Sequence, residues 1–141
     1  MRVSAALDTN ALVSGLMIAD GPPRQIVDAW LTACFDLVTS LYLMDELAQV
    51  LSYPGIAERL RLDEGELNAI LAALLSRAKV TPGEPRLPGV ARDPKDDAVV
   101  ACAVEGRADY IVTGDQDLLA LGEHQGIRVV TPRRFLGILG L

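Results

Sequence analysis

Four short segments of the chain each carry a carboxylate that a fold could bring to one edge of a sheet. They are Val3-Ser-Ala-Ala-Leu-Asp8-Thr9-Asn10, Leu43-Met-Asp45-Glu46-Leu47, Arg92-Asp93-Pro-Lys95-Asp96-Asp97-Ala98 and Tyr110-Ile-Val-Thr113-Gly-Asp115-Gln-Asp117-Leu118. Asp8 and Asp115 follow apolar, strand-like runs, whereas Glu46 and Asp97 sit in helix-like segments. Acids gathered without matching bases repel one another in a partly desolvated site. Hard divalent cations that prefer oxygen ligands, Mg²⁺ or Mn²⁺, relieve that repulsion. The chemistry such a cluster points to is metal-assisted cleavage of a phosphodiester.

The bulk properties bound this reading. The chain has 141 residues, enough for one domain with one substantial core, expected over 1–141. Half the residues are hydrophobic and the mean hydropathy is +0.28, yet the apolar runs are short. None approaches the roughly 18 apolar residues of a membrane span. Residues 1–8 lack the basic start and long apolar stretch of a signal peptide, so the expected location is the cytoplasm. Cys34 and Cys102 stand alone in apolar helical patterns, outside any Cys-x-x-Cys spacing, and read as free, buried thiols.

A net charge of −6 has the wrong sign for bulk attraction to nucleic acid. Acids at a metal site inflate that count, and a bound cation inverts the local sign. The basic residues are scattered; the Arg133-Arg134 doublet and Arg86 read as solvated surface, with Arg92 and Lys95 set apart by their place beside the aspartates. The single histidine, His124, falls in a loop with Gly and Gln, so catalysis by a histidine pair is excluded.

Periodicity supplies the elements that would position these acids. Strands are expected at 3–7, 36–40, 79–81, 110–113 and 128–130. Helices are expected at 11–18, 24–33, 41–52, 64–78, from Pro94 to just before Gly106, and after the fourth strand through Leu121, with a terminal helix capped by Thr131-Pro132. The stretch Tyr53-Pro54-Gly55 reads as a break, and 82–91, with three prolines, as an extended loop. In helix 64–78, Leu67, Ile70, Leu71, Leu74 and Leu75 are expected to face inward. Alternating strands and helices imply a parallel sheet with helices on both faces.

In such sheets ligands bind at the carboxyl ends of the strands, where Asp8 and Asp115 fall. Asp97 lies in the first turn of a helix, a place that acids favour because they complement the dipole. Asp93 and Asp96 are better spaced for capping, which leaves Asp97 the less explained of the group. At about 100° per residue, Leu43, Met44, Leu47, Val50 and Leu51 form an apolar stripe about 120° wide. Glu46 falls about 40° beyond one margin, where a flanking glutamate can also snorkel to solvent, and Asp45 points nearly opposite and reads as solvated.

Leu7-Asp8-Thr9-Asn10-Ala-Leu-Val-Ser14-Gly15, Asp93-Pro-Lys-Asp96-Asp97-Ala-Val-Val and Ile111-Val-Thr113-Gly-Asp115-Gln-Asp117-Leu resemble the signature segments of PIN (PilT N-terminus) domains. The branch most resembled is the VapC-like group, toxin components of bacterial and archaeal toxin–antitoxin pairs. The resemblance spans essentially the whole chain in the right order, with Glu46 on the helix where that family has its glutamate.

What the resemblance implies is a three-layer α/β/α sandwich around a central parallel sheet of about five strands, and a Mg²⁺- or Mn²⁺-dependent single-strand endoribonuclease. Asp8, Glu46, Asp97 and Asp115 would form the acidic site, with Asp8, Asp97 and Asp115 on the metal and Asp117 in reserve. Thr9 or Asn10, together with Thr113, would orient carboxylates or a metal-bound water. The segment containing Asp96 and Asp97 departs from the usual pattern, and Asp97 is chosen because an Asp-Ala-aliphatic run follows it. The implied partners are an RNA substrate, a cognate antitoxin and a second copy of the chain.

Two other readings are weaker. A haloacid-dehalogenase-like phosphatase needs a second aspartate two residues after its nucleophile, where this chain has Asn10, and room for a cap domain. A non-catalytic RNA-binding or scaffold subunit sits poorly with retention of all four acids.

Overall fold

In the computed structural model the chain folds as a six-stranded sheet between two layers of helices. The structure describes residues 2–17, 20–60, 63–83 and 94–141, apart from the side chains at 57, 94 and 95. The strands are β1 (Ser4–Leu7), β2 (Asp36–Ser40), β3 (Lys79–Thr81), β4 (Tyr110–Val112), β5 (Glu123–His124) and β6 (Ile127–Val130). Their order is β3-β2-β1-β4-β6-β5, parallel throughout except for the β5 edge, which pairs antiparallel with β6. That edge places His124 in a strand rather than a loop.

The helices are α1 (Thr9–Met17), α2 (Pro22–Leu31), α3 (Leu41–Leu51), α4 (Pro54–Leu60), α5 (Glu64–Arg77), α6 (Pro94–Glu105), α7 (Gln116–Leu121) and α8 (Pro132–Ile138). Strand alternation sorts the core into two halves. Ala5, Leu7, Leu37, Val112 and Val130 face a cluster built with α1, α2 and α8. Ala6, Val38, Ile111 and Val129 face the other, filled by α6 from Ala98 to Ala103. Helix α3 straddles the layers, giving Leu43 to one cluster and Met44, Leu47 and Leu51 to the other.

Several local expectations need correction. The break at Tyr53-Pro54-Gly55 does end α3 at Leu51, but Pro54 also opens a short helix, α4, because proline at the first helical position loses no hydrogen bond. Leu75 is 51% exposed, since α5 buries only Leu74 fully. Cys34 is exposed: α2 stops at Leu31, and Ala33 takes a left-handed φ of 62° that turns the chain toward β2. Cys102 is buried on α6 as expected. The expected loop at 82–91 and the Asp93 cap fall largely outside the described residues.

The close seating of α1 on α2 depends on Gly15. A Cβ there would stand 2.8 Å from the Pro23 carbonyl oxygen and 2.6 Å from Val27 Cγ2.

Candidate active site

The chain reverses its direction of growth across the sheet between β1 and β4, the place where open α/β sheets leave a crevice beyond their carboxyl ends. Asp8 follows β1 directly, and Thr113 follows β4. Asp8 is 5% exposed, with one oxygen on each side of the strand end. Its Oδ1 accepts the Ala11 N–H at 2.8 Å, capping α1. Its Oδ2 accepts the Thr113 hydroxyl. Thr113 Oγ1 in turn accepts the Asp115 N–H at 3.0 Å, which leaves the hydroxyl proton for Asp8. Asp115 then caps α7, its Oδ1 accepting the N–H groups of Asp117 and Leu118 at 2.8 and 3.3 Å.

Asp8, Thr9, Asn10, Glu46, Val50, Asp96, Val99 and Asp115 line one cleft of about 190 Å³. Its four carboxylates come from four elements: the ends of β1 and β4, the middle of α3 and the first turn of α6. Asp8, Asp96 and Asp115 each stand at a helix N-terminus, where the dipole lowers the cost of negative charge. That compensation is partial. Burial lifts the Asp8 carboxyl above the usual aspartate range; the Thr113 and Ala11 hydrogen bonds oppose this, and the charges of Asp115 and Glu46 add to the rise.

The two adjacent aspartates of α6 take different places. Among the described residues that line the cleft is Asp96, while Asp97, expected at the metal, is buried at 4% exposure one position on. Asp96 and Val99 are three residues apart and share a helix face; Asp97 is turned about 100° from Asp96. Glu46 reaches the cleft as its angle past the α3 stripe implied, and Asp45 is exposed outside it. Asn10 is exposed at the cleft wall, Thr113 is wholly buried beneath it, and Asp117 is exposed and absent from the lining.

The donor set suits a hard cation in kind. Among the described residues four carboxylates line the cleft, and Thr9 adds a buried hydroxyl with no hydrogen-bond partner. The acids do not yet converge: among the described residues, no three Asp, Glu, His or Cys side chains are gathered tightly enough to hold one ion. Cation binding therefore requires them to draw together against their mutual repulsion.

The cleft has neighbours on two sides. Glu46 and Val50 are shared with a groove lined also by Tyr42, Asp45, Gln49 and Tyr53. Asn10 and Asp115 are shared with a hollow between α1 and the start of α8, lined by Ser14, Pro23, Gly114 and Pro132. Sequence reasoning passed over Tyr42 and Tyr53. Their signal was there: Tyr42, Glu46, Gln49 and Tyr53 follow the i, i+4, i+7, i+11 spacing of one helix face.

Residues 4–117 match the PIN domain family. The chain belongs to that family. PIN domains are generally nucleases and typically use divalent metals. Across 146 residues the chain is 26% identical to the uncharacterized protein MJ1680 of Methanocaldococcus jannaschii, covering 96% of this chain and 91% of that one. Its fold is similar to the crystal structure of PAE2754 from Pyrobaculum aerophilum, with a TM-score of 0.62 and 21% identity over 98% of this chain and 90% of that one. At that identity the second likeness shows the fold alone. Family membership sets aside the dehalogenase-like reading. Among the described residues, no helix is long and apolar enough to cross a membrane.

Proposed function

We propose that this PIN domain is a Mg²⁺- or Mn²⁺-dependent single-strand endoribonuclease, the toxin member of a toxin–antitoxin pair. The observation that carries the nuclease reading is that Asp8, Glu46, Asp96 and Asp115 line one cleft at the sheet's switch point. Asp8, Asp96 and Asp115 would hold the cation, with the Thr9 hydroxyl beside them. When bound, the cation supplies water activation and neutralises charge building on the phosphate.

The chain's own residues supply positioning and proton transfer. Thr113 holds the Asp8 carboxylate in one orientation, and Asp115 is held in turn by its cap contacts. Glu46, on α3, accepts the proton of the attacking water. Water attacks phosphorus in line, the bond to the 3′ oxygen breaks, and that oxygen takes a proton. The products are a 5′-phosphate and a 3′-hydroxyl.

The toxin assignment rests on the VapC-like resemblance and requires an antitoxin that covers the acidic cleft, in this proposal by inserting an arginine. A homodimer is proposed from the exposed Leu31 and Leu75, whose helices are joined where Arg77 Nη2 donates to the Leu31 carbonyl at 3.2 Å. Incubation with single-stranded RNA should give cleavage in Mg²⁺, none in EDTA, and fragments that carry 5′-phosphates. Metal-independent cleavage, or 2′,3′-cyclic phosphate ends, would refute the mechanism.

A further inference from the structure

We propose that the groove beside the acidic cleft is a nucleobase subsite, with Tyr42 and Tyr53 as stacking surfaces for an unpaired base next to the cleaved phosphate. This inference rests on the nuclease reading of the cleft. Tyr42 and Tyr53 are 36% and 56% exposed, and both line a groove of about 200 Å³ that shares Glu46 and Val50 with the cleft. In this proposal, a strand whose phosphate lies among the carboxylates presents its neighbouring base to that groove. Phenol rings provide sequence-tolerant stacking faces for bases.

The polar groups of the groove favour a base over a phosphate. Asp45 is exposed there and accepts Gln49 Nε2 at 3.4 Å, while Glu46 closes the inner end. Two carboxylates repel a phosphodiester but accept hydrogen bonds from the amino groups of adenine, cytosine or guanine. The opposite hollow is different in character. Pro23 and Pro132 line it, and Arg24 and the exposed Arg133 come next in the chain.

The test measures binding and cleavage separately, on single-stranded RNA and on the same RNA with an abasic nucleotide beside the cleavage site. In EDTA, fluorescence anisotropy should show Kd for the intact RNA raised roughly tenfold by Tyr42→Ala and by Tyr53→Ala. Tyr42→Phe and Tyr53→Phe should recover most of that loss, because a ring without its hydroxyl still stacks. On abasic RNA the penalty of each Ala variant should shrink to less than about twofold. In Mg²⁺ the penalty should fall on KM more than on kcat. Equal losses on intact and abasic RNA would overturn the subsite. So would unchanged RNA affinity together with a dimer that sedimentation shows falling to monomer in the Ala variants, which would assign this face to a second copy. Base-dependent loss of binding in a protein that cleaves nothing would uphold the subsite and refute the nuclease; cleavage without that loss would do the reverse.

Discussion

Thr113 and Asp8 lie 105 residues apart in the chain, yet the Thr113 hydroxyl donates to Asp8 Oδ2 at the adjacent ends of β4 and β1. Because Thr113 Oγ1 also accepts the Asp115 N–H, one hydroxyl ties together two acids that the mechanism needs. The contact is wholly buried, so its loss cannot be repaired by bulk water. Thr113→Val should therefore lower stability by about 1–3 kcal/mol in urea unfolding and reduce cleavage as Asp8 loses its fixed orientation. Thr113→Ser should retain most of both. Equal behaviour of the Val and Ser variants would show that the hydroxyl has no such role.

The raised Asp8 carboxyl gives a signed pH dependence in EDTA. The folded state holds the Asp8 proton to higher pH than the unfolded chain, whose aspartates titrate near about 3.9. Between those values the native state binds more protons, so stability falls as pH rises and stays lower above the folded pKa. Asp8→Asn removes this term while keeping an oxygen that can cap α1. Its stability relative to wild type should therefore be greater at pH 7 than at pH 4. Mg²⁺ should restore wild type by about 2.7 kcal/mol at a hundred times its dissociation constant, and the Asn variant by much less. Parallel pH curves for the two proteins in EDTA would contradict this.

The two thiols should differ in reactivity. Cys34 is exposed, whereas burial pushes the Cys102 thiol up to about 12. At pH 8 a thiol reagent should label only Cys34 in the native protein and both cysteines in denaturant. Rapid native labelling of Cys102, checked with Cys34→Ser, would show that α6 opens readily.

Much of this arrangement was legible in the chain. Asp8 and Asp115 could be placed because each follows a short apolar run, and strand ends are where such sheets bind ligands. Glu46 could be placed because the apolar stripe of α3 fixes the phase of that helix. No such phase exists for α6: it is buried from Asp96 to Ala103 on every side, so its sequence does not say which of Asp96 and Asp97 turns toward the cleft. That choice is set by how α6 lies across β1, β2 and β4, a tertiary relationship. Leu75 and Cys34 fail for a related reason. Periodicity marks an apolar face but not how much of it a neighbour covers, nor where a turn such as Ala33 ends the helix.

The central claim is that the four cleft-lining carboxylates form the metal-dependent catalytic site, with Asp96 rather than Asp97 among them. The most direct measurement is the single-turnover rate of RNA cleavage in Mg²⁺ by wild type, Asp8→Asn, Asp96→Asn, Asp97→Asn and Asp45→Asn, with folding checked by circular dichroism. Asp8→Asn and Asp96→Asn should each lose at least about a hundredfold, as expected when a carboxylate leaves a catalytic metal site. Asp45→Asn should stay near the wild-type rate, and Asp97→Asn should lose far less than Asp96→Asn. Near-wild-type cleavage by Asp96→Asn alongside a collapse in Asp97→Asn, or cleavage by all variants alike, would contradict the account.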